Sequence, residues 1–177
     1  MRKRLGTGGF SMVELSITVA ILGVLAVIAV PSFITMMPRF RLGGAAQTLA
    51  NDLAMARMSA IAKSVDGEAV IDRNAGRYTL ARTVGGAPYA TATLGSSVVI
   101  ESMSFGVDNA ASGTAAATPL SLHLNANGTT NVTLQQQALR IVLATADGAH
   151  KRRILVWTTG RIHAQKWSPA EAAWKAD

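Results

Sequence analysis

The chain has no cysteine. That excludes a disulfide framework, a thiolate nucleophile and any cysteine-ligated zinc or iron–sulfur site. It leaves the compartment open, because exported proteins can also lack disulfides. Charge is scarce as well: 15% of the residues are charged, against about 25% in average proteins. Acid is the scarcer sign, with 10 Asp and Glu against 17 Lys and Arg, so the formal charge is +7. Ala, Gly, Ser, Thr and one apolar run take the place of the missing charge. The 49% hydrophobic content can bury a core, which excludes a disordered chain. Catalytic constellations are missing too. There is no Gly-x-Ser-x-Gly elbow, and Gly6-Thr7-Gly8-Gly9 precedes an apolar segment instead of following a strand. His123, His150 and His163 are scattered without metal-ligand spacing. The expectation is a protein that is not an enzyme, with no catalytic residue, no cofactor and no metal site. Asp66, Glu68 and Asp72 alternate near one strand and read as a solvated edge, with a calcium site as the minority reading. Asn127-Gly128-Thr129 and Asn131-Val132-Thr133 fit a glycosylation triplet, a weak signal by itself.

The N-terminus carries the most information. Arg2, Lys3 and Arg4 open the chain, and Phe10 to Val30 are 21 residues with one charge, Glu14. As a helix that run spans about 31 Å, close to the hydrocarbon thickness of a bilayer. The basic end should stay cytoplasmic and the rest of the chain face outward. A cleaved secretory signal places its apolar region before a small-residue cleavage site. Here the small residues, Gly8 and Gly9, come first, so a cut after Gly9 would leave the apolar helix on the mature chain. A carboxylate inside an apolar span is costly and marks function by default. Glu14 lies five residues after Gly9. A new α-amino group on Phe10 and a buried Glu14 would be natural partners between staggered neighbouring helices.

Gly9-Phe10-Ser11-Met12-Val13-Glu14, followed by the apolar run, resembles the class III signal of type IV prepilins and type II secretion pseudopilins. Pro31 matches the helix-bending proline frequent in that family. The resemblance implies that a prepilin peptidase cuts between Gly9 and Phe10, that Phe10 becomes N-methylated, and that Glu14 takes part in subunit assembly. It also implies a single-pass subunit of the bacterial inner membrane with its head in the periplasm, partnered by other pilins in a filament.

Pro31 and Pro38 should bend or open the helix, since each removes a donor and clashes with the preceding turn. Leu42, Ala46, Leu49, Leu53, Ala56 and Ala60 then form one apolar stripe at spacings of four and three. The helix should end near Asp66-Gly67. Beyond it the pattern turns to short strands: 68–73, 77–84, 97–105, 120–124, 129–134, 139–145, 151–158 and 161–167. Gly85-Gly86-Ala87-Pro88 reads as a break, 106–119 as a mobile loop, and 168–177 as a short helix or frayed tail. Asn127-Gly128 and Asp147-Gly148 supply hairpin turns. The expected fold is α+β: a long bent N-terminal helix on an antiparallel β head. Its divisions are a leader over 1–9, a transmembrane and filament-core helix over 10–37, an amphipathic helix over 38–67 and the head over 68–177. This layout, with segments 122–128 and 152–162, resembles the GspH/FimT group of minor pseudopilins.

The C-terminal stretch gathers Lys151, Arg152, Arg153, Arg161, Lys166, Lys175 and all three tryptophans. Basic side chains between aromatics can bind nucleic acid by phosphate contact and stacking. DNA-binding members of the resembled group carry Gly-Arg-x-Arg here, whereas this chain has Gly160-Arg161-Ile162-His163. Arg161, His163, Gln165 and Trp167 would share one strand face. Two functions therefore compete. One is a structural pilus or pseudopilus subunit at or near the tip; the other is a minor pilin that binds DNA for uptake.

Overall fold

A computed structural model describes residues 10–106, 114–132, 137–168 and 173–176. The leader with Gly9, and parts of the expected loop and tail, lie outside the described residues. The chain divides into two compact units, Met1–Met37 and Pro38–Asp177.

Helix α1 is Met12–Lys63. Ser11 starts it, its hydroxyl accepting the Glu14 N–H at 3.2 Å. This satisfies one of the donors that a helix N-terminus leaves open. The helical residues continue through Pro31, Pro38 and Gly43-Gly44. In the first unit no described side chain from Phe10 to Met36 is buried. This part of α1 is long and apolar enough to cross a membrane.

The second unit is an α+β head. Strands β1 (Gly67–Asp72), β2 (Arg77–Ala81), β3 (Pro88–Thr93) and β6 (Leu120–Leu124) form an antiparallel sheet ordered β3-β2-β1-β6. Strands β4 (Val98–Gly106), β5 (Thr114–Ala115), β7 (Ala138–Thr145), β8 (Lys151–Trp157), β9 (Ile162–Ser168) and β10 (Ala173–Ala176) form a second, ordered β10-β9-β8-β7-β4-β5. The stripe Leu42, Ala46, Leu49, Leu53, Ala56 and Ala60 packs into one cluster with both sheets. Ala69, Ile71, Leu80 and Leu122 come from the first, and Ile100, Leu139, Ile141, Leu143, Ile154 and Val156 from the second.

Four expectations need correction. The break at 85–88 is followed by a strand, β3, which pairs with β2 from Arg77↔Thr93 to Ala81↔Pro88. Its side chains are nearly all exposed, so it shows no apolar alternation to read. The expected loop contains β5, tied to β4 through Ser104↔Ala115 and Phe105↔Thr114, with Ala116 packed against the core. The expected tail contains β10, held by β9 through Trp174↔Trp167 and Lys175↔Lys166. The expected strand at 129–134 is not formed in its described part. There Thr130 makes an isolated bridge to Leu124, and its hydroxyl donates to the Trp157 carbonyl at 3.1 Å.

Candidate functional site

Two places hold the candidate residues, one in each unit. In the first, Phe10 precedes the helix cap and Glu14 stands in the first helical turn, both exposed. Ser11-Met12-Val13-Glu14 has the spacing of a capping box, and a carboxylate in the first turn complements the helix dipole. Glu14 therefore helps define where the helix begins.

In the second, the register of the larger sheet sorts the basic residues. Leu143, Arg152, Lys166 and Lys175 are successive cross-strand partners on β7, β8, β9 and β10. They share one face, which changes from apolar to cationic along the row. The Arg152 guanidinium lies against Gly43 of α1, with Nη2 3.4 Å from where a Cβ would stand. Burial, then the charge of Arg39, hold its pKa below the usual range for arginine. Arg39, His150, Lys151, Arg152, Lys166 and Trp167 line a small surface depression. Lys151 is ion-paired with Glu101 at its side.

The opposite face holds Arg153, paired with Gln165, and Leu155, paired with His163. Arg153 is only 3% exposed. Its Nε donates to Gln165 Oε1 at 2.6 Å, and its guanidinium stacks 4.8 Å over Trp174. Trp174 meets Trp167 edge to face at 5.1 Å. His163, Gln165 and Trp167 share a face as expected, but Arg161 precedes β9 and is exposed. The six basic candidates thus fall on two faces and a turn.

Gly160, just before Arg161, has a structural duty. Its φ is +75°, and a Cβ there would collide with the Gly128 carbonyl and the Arg57 side chain. Arg57 of α1 donates from Nε to Gly128 O at 2.7 Å and from Nη2 to Thr159 O at 3.3 Å. One helix side chain thereby ties two turns together. Sequence reading missed Arg57, because its partners lie 71 and 102 positions away.

The acidic residues near β1 are engaged one at a time. The Asp66 Oδ1 accepts the Ala126 N–H at 2.7 Å, and the Asp72 Oδ1 accepts those of Asn74 and Ala75 at 3.0 and 3.1 Å. Glu68 accepts the Ser121 hydroxyl and the Gly85 N–H and lies 4.0 Å from His123. The Ser121 bond is the main reason its carboxyl sits below the ordinary carboxylate range. Among the described residues no group of three His, Asp or Glu side chains could hold a metal ion.

The sequence matches no protein-family model and no curated protein. Among solved structures, the type IV minor pilin FimU of Pseudomonas aeruginosa is 18% identical. The match covers 78% of this chain and 94% of that one, with a TM-score of 0.51. The minor pseudopilin EpsH from the Type 2 Secretion System of Vibrio cholerae is 15% identical. That match covers 67% of this chain and 91% of that one, with a TM-score of 0.48. One long N-terminal helix, an antiparallel β head and the likeness to FimU give this chain a pilin-like fold.

Proposed function

We propose that the chain is a minor pilin or pseudopilin subunit of a type IV pilus or a type II secretion pseudopilus, placed at or near the filament tip. The observation that carries this reading is an unburied apolar helix segment, with Glu14 in its first turn, on a chain whose second unit is a β head of pilin-like fold. In this reading the prepilin peptidase cuts between Gly9 and Phe10, and Phe10 is then methylated. Residues 10–37 anchor the chain in the inner membrane with the head in the periplasm, Pro31 and Pro38 bend the helix, and Glu14 pairs with the amino group of a neighbouring subunit. A carboxylate leaving water needs such a partner.

The test is the mass and fate of the chain in cells with and without the peptidase. The expected result is a shorter, methylated chain starting at Phe10 only when the peptidase is present. Glu14→Ala should still insert and be cut, but enter filaments poorly. An unchanged mass in peptidase-deficient cells would remove the leader reading, and equal incorporation of Glu14→Ala would remove the role of Glu14. The DNA-uptake alternative calls for phosphate contacts along one stripe. Register divides Arg152 and Lys166 from Arg153 and His163, so the candidates that the alternative named do not form one stripe, and the structural subunit is the reading retained.

A further inference from the structure

We propose that the open edge of β3 docks an extended, acidic segment of another protein, which adds a strand to the smaller sheet. The inference needs only the second unit and stands apart from the filament reading. Its first ground is the ladder. β3 ends the order β3-β2-β1-β6, so among the described residues one of its edges carries no strand. The Leu94 N–H donates to the Gly76 carbonyl at 2.9 Å, and Arg77 pairs with Thr93. Hydrogen-bonded pairs alternate along an antiparallel ladder. Tyr78–Ala92 and Leu80–Ala90 are therefore the bonded pairs, and the main-chain N–H and C=O groups of Thr91 and Thr93 point away from β2. Proteins guard such edges with charged side chains, prolines, bulges or a covering element. β3 has no charged residue, its one proline is Pro88 at the start, and its register shift lies back at Leu80/Ala81. Among the described residues, 91–93 has none of these guards.

The second ground is the groove beside that edge. Ala90 and Ala92 share the core-facing side of the sheet with their partners Leu80 and Tyr78. Both alanines are small, and two depressions remain between β3 and α1. One is lined by Arg41, Ala45, Thr48, Tyr78 and Ala92, the other by Asp52, Met55, Lys63, Arg82 and Ala90. They follow β3 positions two apart, about 7 Å along a strand. That is the spacing of alternate side chains on an added strand, whose main chain supplies affinity and whose alternate side chains supply specificity. Charge selects the occupant. Arg41, Lys63 and Arg82 on the groove wall are exposed. The one acid lining it, Asp52, accepts the Tyr78 hydroxyl. The complementary segment carries apolar side chains at i and i+2 with a carboxylate beyond each. β3 has no acid of its own, so a second copy seated through its own β3 would leave those cations unanswered.

The experiment uses the full chain in detergent micelles and a fluorescein-labelled peptide, ETVTVTE, followed by anisotropy. Saturable binding is expected. N-methylation of the central threonine removes the N–H that would meet β3 and should abolish binding. Thr91→Pro removes a donor that the β2 ladder does not use. It should abolish binding too, with the thermal midpoint of the head unchanged. Each exposed ion pair is worth about threefold, so Arg41→Gln with Lys63→Gln should weaken binding roughly tenfold. The charge-matched pair Arg161→Gln with Lys166→Gln, away from this groove, should bind as the parent does. Equal losses in both glutamine pairs would overturn the inference, because they would mean diffuse attraction to a cationic chain. Equal affinity for the N-methylated peptide, or for ETTVVTE with its valines adjacent, would overturn it for the same reason. The N-methylated peptide keeps that test independent of whether Thr91→Pro folds. Self-association of the chain that Thr91→Pro abolishes, without peptide binding, would assign the edge to a second copy instead. No binding of ETVTVTE by the parent would remove the site.

Discussion

Leu22 and Leu53 belong to the same helix, yet Leu22 is 64% exposed and Leu53 is 0% exposed. The first lies in a segment apolar on every side, the second in a stripe facing two sheets. A helix that is hydrophobic all round needs an apolar surrounding from outside the chain, whereas a one-sided helix can be satisfied by its own domain. The comparison therefore separates residues that need apolar partners from outside the chain from residues whose partners are already folded beside them.

The largest expected effect comes from breaking that separation. Leu53→Ala should destabilise the head by about 2–5 kcal/mol, because it removes buried methyl groups and leaves a cavity. Leu22→Ala should leave the same transition within about 0.5 kcal/mol. Thermal unfolding of the full chain in detergent, followed by the β signal, checks both; equal shifts would abolish the distinction. Gly160→Ala comes next, at about 1–3 kcal/mol, since it forces a side chain into a left-handed conformation and against the Arg57 clamp. A wild-type midpoint for this variant would mean that the clamp is dispensable.

Glu14 sharpens the comparison from the other side. Glutamine keeps the capping-box geometry and loses the charge. Glu14→Gln should thus enter filaments as poorly as Glu14→Ala, while the head unfolds within about 0.5 kcal/mol of the parent. Normal filament entry by the glutamine variant would reduce Glu14 to a helix-start residue. The smallest effect concerns Glu68. Its folded pKa is lowered, chiefly by the Ser121 hydroxyl. Its contribution is therefore present above the ordinary carboxylate value of about 4.3 and is lost as pH falls below it. Glu68→Gln should flatten the acid limb of the stability curve and leave the neutral region lower but level. Parallel curves for parent and variant would show that the Ser121 and Gly85 contacts add nothing.

Where local pattern decides the outcome, the sequence is readable. The stripe from Leu42 to Ala60 needs only helical periodicity, and all six of its residues are buried as expected. The α+β order and the turn at Asn127-Gly128 follow from equally local signals. Strands β3, β5 and β10 were not legible, because each is an edge or a short partner whose extended form comes from a neighbour's ladder. The basic candidates show the same limit. Composition gathers Lys151, Arg152, Arg153, Arg161 and Lys166 into one cluster. Registry then sends Arg153 under Trp174 and brings Arg39, over a hundred positions away, beside Arg152.

The sequence by itself determined the uncharged span, the acid in its first turn, the amphipathic continuation and the alternation of the inner strands. Each of these depends on residues within a few turns or pleats of one another. Only the tertiary structure decided which face each cation takes, that Arg57 ties the turns at Gly128 and Thr159, and that Lys166 and Lys175 line up with Arg152. Those facts depend on strand register and helix–sheet packing, which join residues through space over separations that no local period encodes.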